Sequence, residues 1–210
     1  LYVQGTLIFI AFIITRKLSF QQVKQAQRYV LVPAGEDDFS AVADINNYYT
    51  NPEDKEAFFI TPLSPEIIRD RISKKSSYYV LKKKGSTDVL GFIELSSSAD
   101  DSVLENINWY DESEKSAVIQ KNSLYIEKIA THPDHMRQGI GVKLYEHLFE
   151  IYKDTVLYAF IAKKPYMNKT SYQFHHHNEF YDAGIFQAEE FCGLKDYESI
   201  LMVRSLQGDG

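Results

Sequence analysis

The stretch Thr131–Leu148, THPDHMRQGIGVKLYEHL, constrains this chain more than any other. SLYIEKIAT leads into it and reads as a strand. GIGVKLYEHLFEIY leaves it as a helix, with Ile140, Leu144, Leu148 and Ile151 on one side. Between them stand Pro133, Gly139 and Gly141. Glycine in a helix costs about 1 kcal/mol relative to alanine, so two glycines at a helix start need a reason. A helix start carries four backbone N–H groups without intrahelical partners, at the positive end of the dipole. Glycines let an anion come close to that backbone. Met136–Val142 therefore reads as a cradle for a phosphorylated ligand. A tight strand-to-helix turn with no ligand would use the same glycines. The spacing fits neither GxGxxG nor GxxxxGK[ST].

The rest of the chain frames this loop. RYVLVPAGEDDFSAVADINNYY reads as a strand, a turn and a helix carrying Phe39, Val42, Ile45 and Tyr49 at helical spacing. Glu36, Asp37 and Asp38 sit at its start, where the dipole favours acids. In LSPEIIRDRI, Ser64 is an N-cap candidate and Pro65 suits the first helical position. SSYYVLKKKGSTDVLGFIELSSS reads as a hairpin around Gly85. ADDSVLENINWYDESEK reads as an exposed acidic insertion over about residues 99–115. TVLYAFIA is a buried strand. NKTSYQFHHH is a short helix in which Thr170 and Gln173 can form a capping box. YDAGIFQAEEF and YESILMVRSL close the chain as antiparallel strands. The order predicts a mixed α/β fold, one sheet flanked by helices. Residues 29–206 form the domain, 1–28 an N-terminal extension and 207–210 a tail.

Two motifs carry a resemblance. IATHPDHMRQGIGVKL resembles the acetyl-CoA motif of the GNAT superfamily of N-acetyltransferases: a strand, a proline, then [Q/R]xxGx[G/A]. Here Met136, Arg137, Gln138, Gly139, Ile140 and Gly141 fill it, with Met136 where Gln or Arg is usual. NKTSYQFHHHNEF is similar to the family's second motif, NxxSxxFHxxxGF. Asn168, Ser171, Phe174, His175 and Phe180 match it, and Glu179 replaces its usual Gly. The resemblance runs from about Tyr29 to Arg204. It is looser to the subgroup similar to phosphinothricin acetyltransferase, which acts on small amino-acid-like amines.

The resemblance implies the GNAT fold: a mostly antiparallel twisted sheet with a splayed parallel pair of strands. It implies acetyl-CoA as cosubstrate and direct attack by an amine in a ternary complex, with the acceptor a small molecule such as an amino acid, polyamine or antibiotic. The alternatives are a protein N-terminal or lysine acetyltransferase, and a degenerate acyl-CoA-binding protein. Ile129 and Ala130 would hold the pantetheine arm through their backbone. Met136, Arg137, Gln138, Gly139, Ile140, Gly141 and Val142 would cradle the pyrophosphate, with Asn168, Ser171 and Phe174 beside the arm. Glu127 is the first candidate to take the amine proton and Glu94 the second. His175 stands where relatives have a Tyr that protonates the leaving sulfur, and histidine titrates near neutrality.

Other classes are less well supported. Consecutive helical residues point about 100° apart, so His175, His176 and His177 cannot share one ion; no metal is expected. Net charge is −6 without a basic face, which argues against nucleic acid. The acids around Trp109 would suit a cationic amine if they border the acceptor pocket. Cys192 is the single cysteine. It fits a reducing, cytoplasmic home and reads as a buried structural thiol. Leu7–Ile14 is apolar over 8 residues, against about 20 for a membrane span. It reads as a core element or a non-native leader, since LYVQG resembles a tag remnant; an anchor is the other reading. The resemblance leaves a homodimer open.

Overall fold

A computed structural model describes residues 28–50, 57–119 and 122–204. In chain order the elements are β1 (Tyr29–Pro33), α1 (Phe39–Tyr48), α2 (Pro65–Ser73), β2 (Ser77–Lys83), β3 (Val89–Ser96), α3 (Asp101–Glu105), β4 (Ile107–Trp109), α4 (Glu112–Ile119), β5 (Ser123–Thr131), α5 (Ile140–Ile151), β6 (Val156–Lys164), α6 (Lys169–His177), β7 (Tyr181–Phe191) and β8 (Leu194–Arg204). The apolar run Leu7–Ile14 and the tail 207–210 lie outside the described residues. Among the described residues, no helix is long and apolar enough to cross a membrane.

The strands form one sheet in the order β1-β2-β3-β5-β6-β8-β7-β4. Only β5 and β6 pair in parallel, through Ser123–Tyr125 against Val156–Tyr158. Beyond Tyr125, β5 stays paired with β3 while β6 pairs with β8. The two central strands therefore splay, and Ile126–Thr131 have no ladder partner on the β6 side. A parallel pair opened in this way leaves unpaired backbone groups facing a cleft, ready for a ligand.

Periodicity decides which helix lies on which face. Phe39, Val42 and Ile45 of α1 and Ile68 of α2 bury against Val80, Phe92 and Ala130. Ile140, Leu144 and Leu148 of α5 bury against Leu81, Ile93 and Ile126. Ile151, expected on that stripe, is 50% exposed, because the helix ends there as the chain turns towards β6. Ser64 caps α2 by accepting from Ile67 N–H, and Gly85 takes the left-handed turn between β2 and β3.

Two expectations need correction. The segment around Ala99–Lys115 is not a plain insertion: it folds as α3, β4 and the start of α4, and β4 becomes the edge strand on β7. Its acids are largely solvated, but Val103, Leu104 and Ile107 pack with Tyr158, Phe186 and Leu201, and this burial fixes the segment. The cap of α6 is Asn168, not Thr170: Asn168 Oδ1 accepts from Ser171 N–H at 3.2 Å. Glu179, past the end of α6, has φ +68°. Glycine suits such a left-handed position best.

Candidate functional site

Two cavities meet at the splay. The first, about 460 Å³, lies between β5, the start of α5 and the start of α6; Ile129, Ala130, Gly139, Gly141 and Phe174 are among its walls. The second, about 500 Å³, lies between the splayed halves of β5 and β6; Arg71, Tyr125, Glu127, Phe160 and Tyr197 are among its walls. Phe58, Phe59, Ile129, Asn168 and Ser171 line both and form the neck.

The first cavity holds most of the residues expected to bind the cofactor. Met136, Arg137, Ile140 and Val142 line it with the two glycines, as do Asn168 and Ser171. Gln138 does not; its side chain donates to the Asp134 carbonyl at 3.2 Å. Gly139 is the N-cap of α5, at φ 75°, with no side-chain cap. Ser64 and Asn168 cap their own helices, whereas the amides opening α5, like those opening α1, have no side-chain cap. An atom added as Cβ at Gly139 would meet no neighbour within 4 Å. Uncapped amides at the positive end of a helix, behind a bare glycine, fit a diphosphate.

Gly141 answers a different need. A Cβ there would come to 3.1 Å from the Phe174 ring. The cradle reading has a side chain at Gly141 block the anion; here it would first strike the Phe174 ring, a wall of the same cavity. Gly141→Val should overpack this contact by about 1–3 kcal/mol and lower the thermal midpoint before any ligand is added. An unchanged midpoint with lost cofactor affinity would restore the cradle account.

Three asparagines hold the loop that carries Phe58 and Phe59 into the neck. Asn46 Nδ2 donates to the Thr61 carbonyl at 3.1 Å and Asn47 Nδ2 to the Leu63 carbonyl at 2.8 Å. Asn168, besides capping α6, donates from Nδ2 to the Phe58 carbonyl at 3.0 Å. One side chain thus joins the second motif to the loop that divides the cavities.

In the second cavity a β-bulge decides which side chains of β5 reach the wall. Glu94 pairs with Lys128 and Leu95 with Ile126, leaving Glu127 as the extra residue on β5. A bulge breaks strict alternation, so Glu127 and Lys128 both reach the same cavity. Arg71 from α2 donates through one nitrogen to Glu94 Oε1 at 2.8 Å and to Glu127 Oε1. Ser96 Oγ donates to Glu127 Oε2 at 3.3 Å. The two base candidates separate here. The Glu127 side chain is 26% exposed and lines the cavity. Glu94 is fully buried behind it and is not a wall residue. Burial, then the charge of Glu127, pushes the Glu94 carboxyl above its ordinary range. Glu94 therefore holds Arg71 in place, and Glu127 is the carboxylate that meets the cavity.

His175 is placed otherwise than the resemblance implied. It is 1% exposed. Its Nδ1–H donates to the Ser171 carbonyl at 2.7 Å, and Nε2 accepts from the Tyr145 hydroxyl at 2.8 Å. Burial pushes its pKa down to about 4. A neutral ring with both nitrogens engaged has no free proton to deliver at pH 7, which corrects the leaving-group reading. His176 Nε2 faces Asp182 at 3.2 Å and His177 Nδ1 donates to the Gln173 carbonyl, so the three rings point to different partners.

The buried His175 has a pH consequence. The unfolded chain takes up this proton near pH 6.5, the native state only near pH 4. Stability from this group is complete above pH 6.5 and is lost as pH falls towards 4, by about 3 kcal/mol. Denaturant unfolding at pH 7.5 and 4.5 should show that loss in the wild type and a smaller one in His175→Phe; equal slopes would refute it.

Cys192 is exposed, in the left-handed turn between β7 and β8, and lines the second cavity. The expectation of a buried thiol is overturned, because the tight hairpin projects Cys192 beyond the core. Four residues escaped the sequence reading: Arg71, Lys128, Phe58 and Phe59. Only EK, two adjacent charges within a strand, hinted at the bulge.

Residues 41–180 match the acetyltransferase (GNAT) family profile. No curated protein matches significantly. Solved structures share the fold at low identity. The ribosomal-protein-S18-alanine N-acetyltransferase from Escherichia coli has a TM-score of 0.56 at 15% identity, covering 87% of this chain and 97% of that one. A Salmonella typhimurium protein solved with its cofactor acetyl-CoA has a TM-score of 0.57 at 15% identity, covering 87% and 96%. A phosphinothricin N-acetyltransferase-like protein has a TM-score of 0.57 at 19% identity, covering 85% and 99%.

Proposed function

The chain belongs to the GNAT acetyltransferase family, and we propose that it transfers an acetyl group from acetyl-CoA to the primary amine of a small molecule. The observation that carries this is the pair of cavities joined at the β5–β6 splay: one fits a diphosphate and its arm, the other is a pocket with a carboxylate in its wall.

Acetyl-CoA, when bound, supplies a thioester whose carbonyl carbon the amine attacks, so that a C–N bond forms as the C–S bond breaks. The chain's residues supply the rest. The amides of Arg137–Val142 hold the diphosphate, with Met136 and Arg137 at the rim. The backbone of Ile129 and Ala130, paired with β3 but without a ladder partner on the β6 side, holds the arm, and an amide there polarises the carbonyl. Glu127 accepts the proton that the amine must lose, directly or through a water. Arg71 and Ser96 fix that carboxylate in place. Ser171, which lines both cavities, presents the hydroxyl nearest the neck, with His175 Nδ1 3.3 Å behind it. It replaces His175 as the candidate donor to the leaving sulfur. Phe58 and Phe59 keep water from the neck.

Among the described residues, the charged side chains lining the second cavity are Arg71, Lys128, Glu127 and Asp100, two of each sign. That balance offers a polycation no net field, so an uncharged or zwitterionic amine fits better than a polyamine. The α3–β4 segment walls the cavity through Ser98, Ala99, Ser102 and Val103, which favours a small molecule over a protein lysine. The test is a thiol-release assay with acetyl-CoA and a panel of amines, the products read by mass spectrometry. Acetylation of a small primary amine, and not of peptides, supports the reading. Cofactor binding without transfer to any acceptor would favour an acyl-CoA-binding protein.

A further inference from the structure

Lys128 is the one buried charged wall residue of the second cavity without an opposite charge at ion-pair distance among the described residues. It is 6% exposed. Its Nζ donates to Thr61 Oγ1 at 3.0 Å and lies 5.3 Å from the centre of the Phe59 ring. Arg71 takes one oxygen of Glu94 and one of Glu127, and Asp100 caps α3 by accepting from Ser102 N–H at 2.9 Å. Glu94 is the ladder partner of Lys128 across β3–β5 and its Oε2 is buried without a hydrogen bond, but it forms no ion pair with Lys128. Burying a lone ammonium is costly unless it is paired or hydrogen-bonded. An ammonium offers three N–H donors, and only one has a hydrogen-bond acceptor here. The bulge sets this group directly beside Glu127, on the same cavity.

We propose that Lys128, with Thr61, binds a carboxylate on the acceptor, one carbon away from the amine that Glu127 serves. The acceptor is then a free α-amino acid. Tyr125, Phe160, Phe186 and Tyr197 wall the far side, so its side chain is large and apolar. This rests on the acetyl-transfer reading for its purpose, but its geometry is separate from the cofactor cradle. Burial pushes the Lys128 pKa down, and the fields of Glu94 and Glu127 oppose this. A bound carboxylate would act in the same sense as those two acids, favouring the charged form.

The test is calorimetric binding in the presence of CoA, on the full chain and on Lys128→Met. The probes are matched triplets: phenylalanine, leucine and methionine, each beside its amide and its decarboxylated amine. Wild type should bind one of the amino acids about ten- to hundred-fold tighter than its two analogues, the range of a charge-assisted hydrogen bond. Lys128→Met should erase that preference and leave the decarboxylated amine within about twofold. Thr61→Val, a milder change, should narrow it. Equal affinities within every triplet, a preference that survives in Lys128→Met, or binding of none of the nine would overturn the proposal. Amide binding as tight as the free acid would point to a peptide N-terminus instead. A carboxylate preference without acetyl transfer on adding acetyl-CoA would refute the transfer reading and leave the subsite standing.

Discussion

Replacing Arg71 with methionine should cost about 2–4 kcal/mol of stability. Removing one partner from a buried ion pair typically costs about 3–5 kcal/mol, because the remaining charge is stranded. The lower range applies because the Arg71 side chain is 24% exposed. On a domain of this size, that is a fall in thermal midpoint of roughly 5–15 °C. The loss has a sign in pH. Glu94 is fully buried and already pushed above its ordinary range by burial and by Glu127. Without Arg71 its proton affinity rises further. The native variant then binds this proton at a higher pH than the unfolded chain does. Stability is therefore present below the unfolded carboxyl range and lost as pH rises. The variant should sit closer to the wild type at pH 5 than at pH 8. A midpoint unchanged at both pH values would show that Arg71 is not what holds the two acids together.

Glu127→Gln should lower kcat by about 10²–10³ at neutral pH, the usual scale for a lost proton acceptor. The amide keeps an oxygen to accept from Arg71 and can donate from its nitrogen to Ser96 Oγ, so folding should survive. Glu127 lines only the second cavity, so acetyl-CoA affinity should stay within about twofold. Comparing kcat with cofactor Kd separates this from a structural effect. If turnover of the variant equals that of the wild type across pH 6–9, Glu127 has no part in moving the proton. Ser171→Ala, assayed alongside, would then show whether the neck hydroxyl matters to the leaving sulfur.

The arrangement around Arg71 explains why the cavity contains charges without being strongly charged. α2 delivers one guanidinium between two carboxylates on neighbouring strands, 23 and 56 residues away along the chain. That fixes Glu127 with one oxygen towards Arg71 while the side chain still meets the cavity. Among the described residues Lys128 is left with Thr61 and the Phe59 ring, and with no ion pair. One long-range contact thus bears on both the proposed proton acceptor and the anion site proposed beside it.

How far the residues alone reach follows from the range of the interactions. The cradle could be put forward from the sequence because it is local. A strand, a proline, a left-handed glycine and a helix start lie within about a dozen residues, and their work is done by backbone amides whose placement depends on dihedral angles alone. The core stripes of α1 and α5 were legible for the same reason, since periodicity is local. The stripe overran only at Ile151. The splay could be expected only through the family resemblance, because nothing in SLYIEKIAT by itself says where pairing with β6 stops.

The remainder was decided by tertiary packing. The acidic segment became an edge strand because three apolar residues found Phe186 and Tyr158. Cys192 left the core because a hairpin turn carried it outward. His175 lost its acid role because Tyr145 and Ser171 took both its nitrogens, a fact about a helix thirty residues away. Glu94 and Glu127 look alike as strand carboxylates. A bulge and a guanidinium from α2 made one a buried anchor and the other a cavity wall. Sequence by itself determined the order of elements and a candidate cofactor loop, because these rest on short-range backbone geometry, while the GNAT fold and the chemistry to expect came from the resemblance that two local motifs carry. Only the tertiary structure decided which side chain meets the second cavity, because burial, charge pairing and strand register are set between residues far apart in the chain.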